Sequence, residues 1–303
     1  MEPILKWAGG KRKLIPEILA LFPPDYRKRA YHEPFLGGGA VFFKIKPKSG
    51  TINDINPHLM NFYEIVRDCP EDLIEVTSQY SFDEETYYKL RDRFNQTGLS
   101  KKERASILLY LNKTAYNGLY RVNSKGEFNV PFGSYRNPTI VPKQSIRAAS
   151  KKLKNVKILC TDFSYITKYA NTGDLCYLDP PYQPVSSTSN FTSYFSDGFD
   201  FSDQIRLRDT CVELHYKGVY FVLSNGYAKK IIEIYKEKNP FRTEIVKARR
   251  SISSKASTRG PVNEILVTNI PKELSMGKKK VERQFVYAYP LIYYRNPRDA
   301  FRR

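Results

Sequence analysis

Apolar positions in this chain fall into two kinds of run. Stretches without polar interruption, such as Leu175-Cys176-Tyr177-Leu178, read as buried strands. Val156 to Cys160, Val219 to Asn225 and Glu264 to Asn269 read the same way. Tyr31 to Phe43 is a short strand, three glycines and an apolar helix start, and Thr51 to Asn56 holds a second short strand ending at Asp54. Amphipathic spacing predicts helices over Leu14 to Leu19, with Pro16 in the first turn, and over most of residues 59–111. Ser202 is the expected cap of a further helix through Tyr216. Ser81-Phe82-Asp83-Glu84 and Ser100-Lys101-Lys102-Glu103 are capping-box signatures. In residues 112–137, Asn117-Gly118 and Ser124-Lys125-Gly126 turns separate short strand-like runs, which predicts a hairpin.

The chemistry gathers where these runs end. Pro180-Pro181 cannot continue a strand, so the chain turns outward after Leu178. Asp179 and Tyr182 are thereby presented at the carboxyl edge of a sheet, where open α/β sheets bind ligands. In isolation, an ordinary strand end with a Pro-Pro turn explains the tetrapeptide equally well. Gly37-Gly38-Gly39 forms a nucleotide-binding type of turn, without the spaced dinucleotide fingerprint or a Walker lysine. Asp54 lies fifteen residues past Gly39; in doubly wound folds an acid roughly twenty residues past the glycines takes ribose hydroxyls. Asp162 and Phe163 place an acid and a ring after another strand, suited to bordering an adenine. Lys6-Trp7-Ala8-Gly9-Gly10-Lys11 offers backbone N–H groups and a flat face, although a plain loop leading into a helix would read alike. Together these segments indicate an adenosine-bearing ligand, S-adenosylmethionine ahead of a nicotinamide.

Composition narrows the partner. The chain has 303 residues, 41% hydrophobic, with a net charge of +19. Residues 112–157 hold ten Lys/Arg against one acid and residues 272–303 hold nine against three, which suits a polyanion. The hairpin mixes Tyr, Asn, Arg and Lys: Arg suits guanine, Asn suits adenine, and Tyr fills the gap of an extruded base. Lys247 to Arg259 has five basic residues among serines and no acid, the composition of a phosphate-contacting loop that includes Arg249, Ser253 and Arg259. Residues 183–194 are small and polar, the composition of a mobile loop over a site. The four cysteines form no Cys-x-x-Cys pair, and Cys160 and Cys176 are expected in the reduced core. No apolar run spans a bilayer and no signal peptide is evident, so a cytoplasmic protein without membrane contact is expected.

In order and wording, the segments resemble amino-DNA adenine methyltransferases of the Dam type, over roughly residues 4–270. The resemblance is carried by Lys6–Lys11, Glu33–Gly39, Asn53–Asn56, Asn117–Arg121, Gly126–Pro131, Asp179–Tyr182 and Ser251–Ser254, arranged as in the family's alpha group. It implies an α/β fold: a Rossmann-like methyltransferase domain with a mixed, mostly parallel seven-stranded sheet, and an inserted helical and β-hairpin DNA-recognition domain. The expected division is 1–58 with 158–271 for the catalytic domain, 59–157 for recognition and 272–303 for a basic extension, a departure from many relatives. The implied reaction transfers the methyl group of S-adenosyl-L-methionine to N6 of adenine in double-stranded GATC, leaving S-adenosyl-L-homocysteine and needing no metal. By motif, Trp7, Ala8, Gly9, Lys11, Glu33, Phe35, Gly37, Gly39, Asp54, Asp162, Phe163 and Asp179 border the cofactor. Tyr116 and Asn117 fill the space of the flipped base, Arg121 reads guanine, Leu119 and Pro131 touch bases, and Asn123 joins the DNA-binding set. A monomer or weak dimer is expected.

The lone pair of adenine N6 is delocalised into the ring. Asp179 and the Pro180 carbonyl would accept its two hydrogens and turn the lone pair toward the methyl donor, while Tyr182 stacks on the flipped base. Direct in-line transfer by positioning and electrostatics follows. A cytosine-C5 enzyme would need a cysteine nucleophile, typically after a proline, and no Pro-Cys dipeptide occurs. The rival readings are amino-methylation of RNA, protein glutamine or cytosine N4, and a non-catalytic DNA-binding homologue.

Overall fold

In the computed structural model, residues 2–182, 198–236, 240–249 and 261–277 are described. The chain forms α1 (Ile15–Leu21), β1 (Tyr31–Glu33), α2 (Ala40–Ile45) and β2 (Gly50–Asn53), then a helical segment of α3 (Pro57–Asp68), α4 (Pro70–Ser78), α5 (Glu84–Phe94) and α6 (Lys101–Thr114). After an irregular excursion come α7 (Lys143–Leu153), β3 (Lys157–Leu159), α8 (Ile166–Tyr169) and β4 (Leu175–Leu178). The remainder is α9 (Phe201–Tyr216), β5 (Tyr220–Gly226), α10 (Lys229–Lys236), β6 (Arg242–Arg249) and β7 (Pro261–Thr268).

The strands make one seven-stranded sheet in the order β3-β2-β1-β4-β5-β7-β6. The first five are parallel, and β7 runs antiparallel to both β5 and β6. This is the mixed, mostly parallel sheet expected. Alternation along the strands splits the core in two. Leu175, Tyr177, Val222 and Leu266 face the cluster built with α1 to α7. Cys176, Leu178, Phe221, Leu223, Ile265 and Val267 face the cluster built with α8 to α10. Residues 59–157 build no separate core: Leu59, Phe62, Leu108 and Ile146 join Ile4, Phe42 and Tyr177 in a single cluster.

Several local expectations need correction. α9 starts from Asp200 rather than Ser202, because Asp200 and Asp203 exchange side-chain and backbone bonds in a closed capping box. α5 is capped by Asp83, which accepts from the Thr86 N–H at 2.7 Å, rather than by Ser81. In both, a carboxylate at the positive helix end takes the capping role. Ser100 does cap α6, accepting from Glu103. Residues 112–137 fold back on themselves through two isolated antiparallel bridges, Ala115 with Phe132 and Val122 with Phe128, without regular strands. Cys176 is buried, but Cys160 is exposed just after β3.

Gly50 shows why β1 and β2 meet so closely. It sits at φ +133°, and a Cβ there would lie 1.7 Å from the Tyr31 carbonyl oxygen. Gly50→Ala is expected to cost roughly 3 kcal/mol or more, since the strand pair must part at its start. Urea unfolding of the two proteins measures this; an unchanged midpoint would remove the close approach as a constraint.

Candidate active site

The order of strands reverses beside β1, which pairs with β2 on one side and β4 on the other. The segments leaving the carboxyl ends of β1 and β4 therefore diverge around a cleft, the place where open α/β sheets bind ligands. Into it project the turn after β1, the acid after β2, and Asp179 to Tyr182 after β4.

The glycine turn is shaped to its neighbour. Gly37 and Gly39 take φ of +49° and +69°, and a Cβ on Gly37 would lie 2.9 Å from Trp7 Cδ1. Gly37 donates its N–H to Asp54 at 2.9 Å, and Asn56 donates a second at 3.0 Å. Burial pushes the Asp54 carboxyl upward while these two N–H groups hold it down. Glu33 ends β1 and accepts from the Tyr31 hydroxyl at 2.6 Å. Its burial raises the pKa to about 8, against that hydrogen bond, and it is therefore mostly protonated at neutral pH. Asn53 ties the edge together, donating to the carbonyls of Pro34 and Thr161 and accepting from the Thr161 N–H.

On the next loop, Asp162 caps a short 3-10 turn and pairs with Arg206 of α9 at 2.9 Å. Phe163 stacks on Phe35 with ring centroids 5.4 Å apart, and Phe199 closes on both rings. The Arg206 guanidinium lies 4.9 Å from the Phe163 centroid. Trp7 stacks on Tyr120 at 5.0 Å, so one face of its ring is already covered.

Asp179 is the centre of the cleft. Lys11 donates to its Oδ1 at 2.8 Å and the Ser224 hydroxyl donates to the same oxygen at 2.8 Å. Ser224 also shares a 2.9 Å hydrogen bond with the Tyr177 hydroxyl. Burial raises the Asp179 pKa, and Lys11 and Ser224 act in the opposite sense. Lys11 also donates to the Gly9 carbonyl and lies 4.4 Å from the centroid of the Tyr182 ring. Tyr182 donates its hydroxyl to Glu264 Oε2 on β7 at 2.7 Å. Its ring packs against Gly226, where an added Cβ would meet ring carbons at 3.5 Å. Gln204 donates to the Pro181 carbonyl and is itself held by Asn225.

The excursion after α6 carries the expected DNA-binding residues on one fold-back. Tyr116 is half exposed and donates its N–H to the Pro131 carbonyl, and Asn117 sits at φ 55°. Leu119 packs against the core. Arg121 donates to the Asn129 side chain at 2.7 Å, and Asn123 ties the turn through Lys125, Glu127 and its own amide. Lys247 to Arg249 end β6, paired with β7, rather than opening a loop as expected, whereas Ser253, Arg259 and the block Ser251–Ser254 lie outside the described residues. The loop expected over residues 183–194 and most of the 272–303 extension also lie outside them.

Sequence reasoning missed Ser224, Glu264, Phe199, Arg206 and Asn53. For Ser224 a signal existed: Ser224-Asn225 is a polar pair ending an apolar strand. Glu264 and Arg206 reach the site only through the register of β7 against β5 and the docking of α9, which no local pattern reports.

Residues 7–252 match the family described as D12 class N6 adenine-specific DNA methyltransferase. The type II methyltransferase M1.LlaDCHI of Lactococcus lactis subsp. cremoris is 44% identical over 276 residues, covering 89% of this chain and 95% of the relative. The type II methyltransferase M.MjaIII of Methanocaldococcus jannaschii is 41% identical over 289 residues, covering 89% and 99%. The DNA adenine methylase of Escherichia coli K12 is 34% identical over 279 residues, covering 91% and 98%. With a match across most of its length and an acid, two prolines and a tyrosine at the cleft, the chain belongs to the D12 class of N6 adenine-specific DNA methyltransferases.

Proposed function

We propose that this enzyme methylates N6 of adenine in double-stranded GATC, with S-adenosylmethionine as donor and the target base flipped into the cleft. The observation that carries the reading is Asp179, partly buried and held by Lys11 and Ser224, beside Tyr182 and next to the glycine turn after β1. The residues suit an adenosine-bearing cofactor. Asp54 is fixed by the glycine turn to meet hydroxyl donors, Phe35 and Phe163 offer apolar faces, and Asp162 is an acceptor beside them. When bound, S-adenosylmethionine supplies the activated methyl group. The GATC specificity rests on the likeness of the fold-back residues Asn117, Leu119, Arg121 and Pro131 to the Dam-type block. Within residues 59–157 the fold-back after α6 would carry the recognition contacts, and the segments around the cleft the catalytic ones.

The chain's own groups then perform the positioning. Asp179 accepts one N6 hydrogen and the Pro180 carbonyl the other, which turns the nitrogen lone pair out of the ring plane. Lys11 opposes the upward shift that desolvation gives the partly buried carboxylate, and it lies over the ring on which the base would stack. Base arrival therefore exchanges Lys11 contacts for adenine contacts. Tyr182 stays a neutral donor because burial, with Asp179 and Glu264 nearby, raises its pKa. Its bond to Glu264 fixes the ring's rotation, so the stacking face is set before the base arrives.

Tritiated S-adenosylmethionine should label GATC duplexes and leave GATC-free duplexes unlabelled; equal labelling would sink the specificity. Asp179→Ala should lower kcat by at least ~100-fold while duplex binding persists, and retained turnover would take Asp179 out of this role. Tyr182→Phe and Glu264→Ala should each lower kcat about tenfold, with the double variant no worse than either. Additive losses in that cycle would show that Glu264 does not act through the Tyr182 hydroxyl.

A further inference from the structure

The basic block of residues 112–157 does not stay together in the fold. Lys113, Arg121, Lys125 and Arg136 lie on or beside the fold-back near the cleft. The other six cations, from Lys143 to Lys157, lie on α7, in the short link after it and at the start of β3. Lys157 pairs in register with Thr51, next to Gly50 at the amino end of β2. Lys152 donates to the Phe43 carbonyl at 3.4 Å, which brings α7 to the end of α2 and to Lys44 and Lys46. Asp54 and Asp179 follow the carboxyl ends of β2 and β4, so this basic surface is on the opposite edge of the sheet.

Its charges are crowded and largely uncompensated. Lys46, Lys154, Lys157 and Arg27 are exposed. Among the described residues, Lys46, Lys152, Lys154 and Lys157 have no carboxylate within ion-pair distance, although Lys157 lies over the Tyr169 ring. The carboxylate whose electrostatics Lys154 touches, Asp68, is already bound by Arg67. Burial first and Lys46 second push the Lys152 pKa down to about 8, while Lys44 is lowered by burial, Lys46 and Arg27. A surface that suffers such self-repulsion gains by meeting phosphates.

We propose that Arg27, Lys44, Lys46, Lys152, Lys154 and Lys157 form a second contact surface for the phosphate backbone of duplex DNA, separate from the target-binding cleft. A duplex held at the carboxyl edge cannot also lie along the amino edge of the same strands. The second surface thus holds another duplex, or a distant segment of the same one. Contact there is to phosphates and carries no sequence preference. It would keep the enzyme on long DNA after one site is modified. The inference needs only the enzyme's action on DNA and is independent of GATC.

A bridging assay tests it with the full chain. A short GATC duplex is fixed to beads, protein is added, and capture of a labelled GATC-free duplex is measured across salt concentrations. The wild type should capture it with one protein chain per two duplexes by sedimentation. Lys46→Glu/Lys154→Glu/Lys157→Glu, checked by thermal melting, should capture at least about tenfold less and lower the slope of log K against log salt by roughly 2.7. The corresponding Gln variant should act in the same direction, and methylation of a single short duplex should be unchanged in both. The proposal is overturned if the wild type does not bridge, if bridging needs two chains per two duplexes, or if the variants bridge normally. It is also overturned if short-duplex methylation falls in step, which would place these residues in the target footprint, or if a labelled RNA hairpin is captured in preference to DNA. Loss of GATC selectivity with bridging intact would count against the proposed recognition site alone.

Discussion

A carboxylate drawn largely out of water at the end of β4 sets the terms for the rest of the site. Burying an isolated charge costs several kcal/mol unless partners compensate it. Asp179 finds its partners in Lys11, from the N-terminal segment, and Ser224, from β5. Lys11 is only 6% exposed, so it depends on Asp179 as much as the reverse. The N-terminal segment must therefore fold back across the cleft, and with it come the Gly9 turn and Trp7. Removing the Asp179 carboxylate would leave the Lys11 ammonium buried without its anion, a larger loss than the pair's own net worth.

The same segment joins the cofactor side to the recognition side. Asn112 of α6 accepts from the Lys6 N–H at 2.9 Å and donates to the Lys6 carbonyl at 2.7 Å. Lys113 donates to the Ile4 carbonyl, and Trp7 stacks on Tyr120 just beyond the excursion's first turn. With the apolar cluster continuous from the sheet into α3 to α7, the elements proposed to read DNA are packed on the elements proposed to hold the cofactor. A shift of the fold-back on binding DNA would be felt at Lys11, and hence at Asp179, through a few direct contacts. The Tyr182 ring is braced from the other side by β7, so the base-stacking face is fixed by the last pair of strands rather than by its own loop.

Charge was the feature most altered by folding. Counted along the chain, residues 112–157 formed one basic block with a single natural partner. In three dimensions, α7 carries its share to the amino edge of the sheet, and only the fold-back remains near the cleft. Linear charge density reports neither which face a helix presents nor which edge of a sheet it reaches. A uniform block can thus supply two surfaces.

By itself the sequence determined six of the sheet's seven strands, the glycine turn, the acid after β2 and the Asp-Pro-Pro-Tyr exit, because each depends on backbone preferences encoded within a few residues; β6, whose basic end read as loop, is a strand only through its pairing with β7. Positive φ at Gly37 and Gly39, the Pro-Pro break after Leu178 and the uninterrupted apolar run of β4 are all local. Helix starts were legible only to within a few residues, since neighbouring acids outcompeted the serines at Asp83 and Asp200. The tertiary structure alone decided which groups answer the buried charges. Ser224, Glu264, Arg206 and Phe199 arrive through strand order, antiparallel register and helix docking, and these are set by the burial of both sheet faces at once rather than by any short stretch of chain.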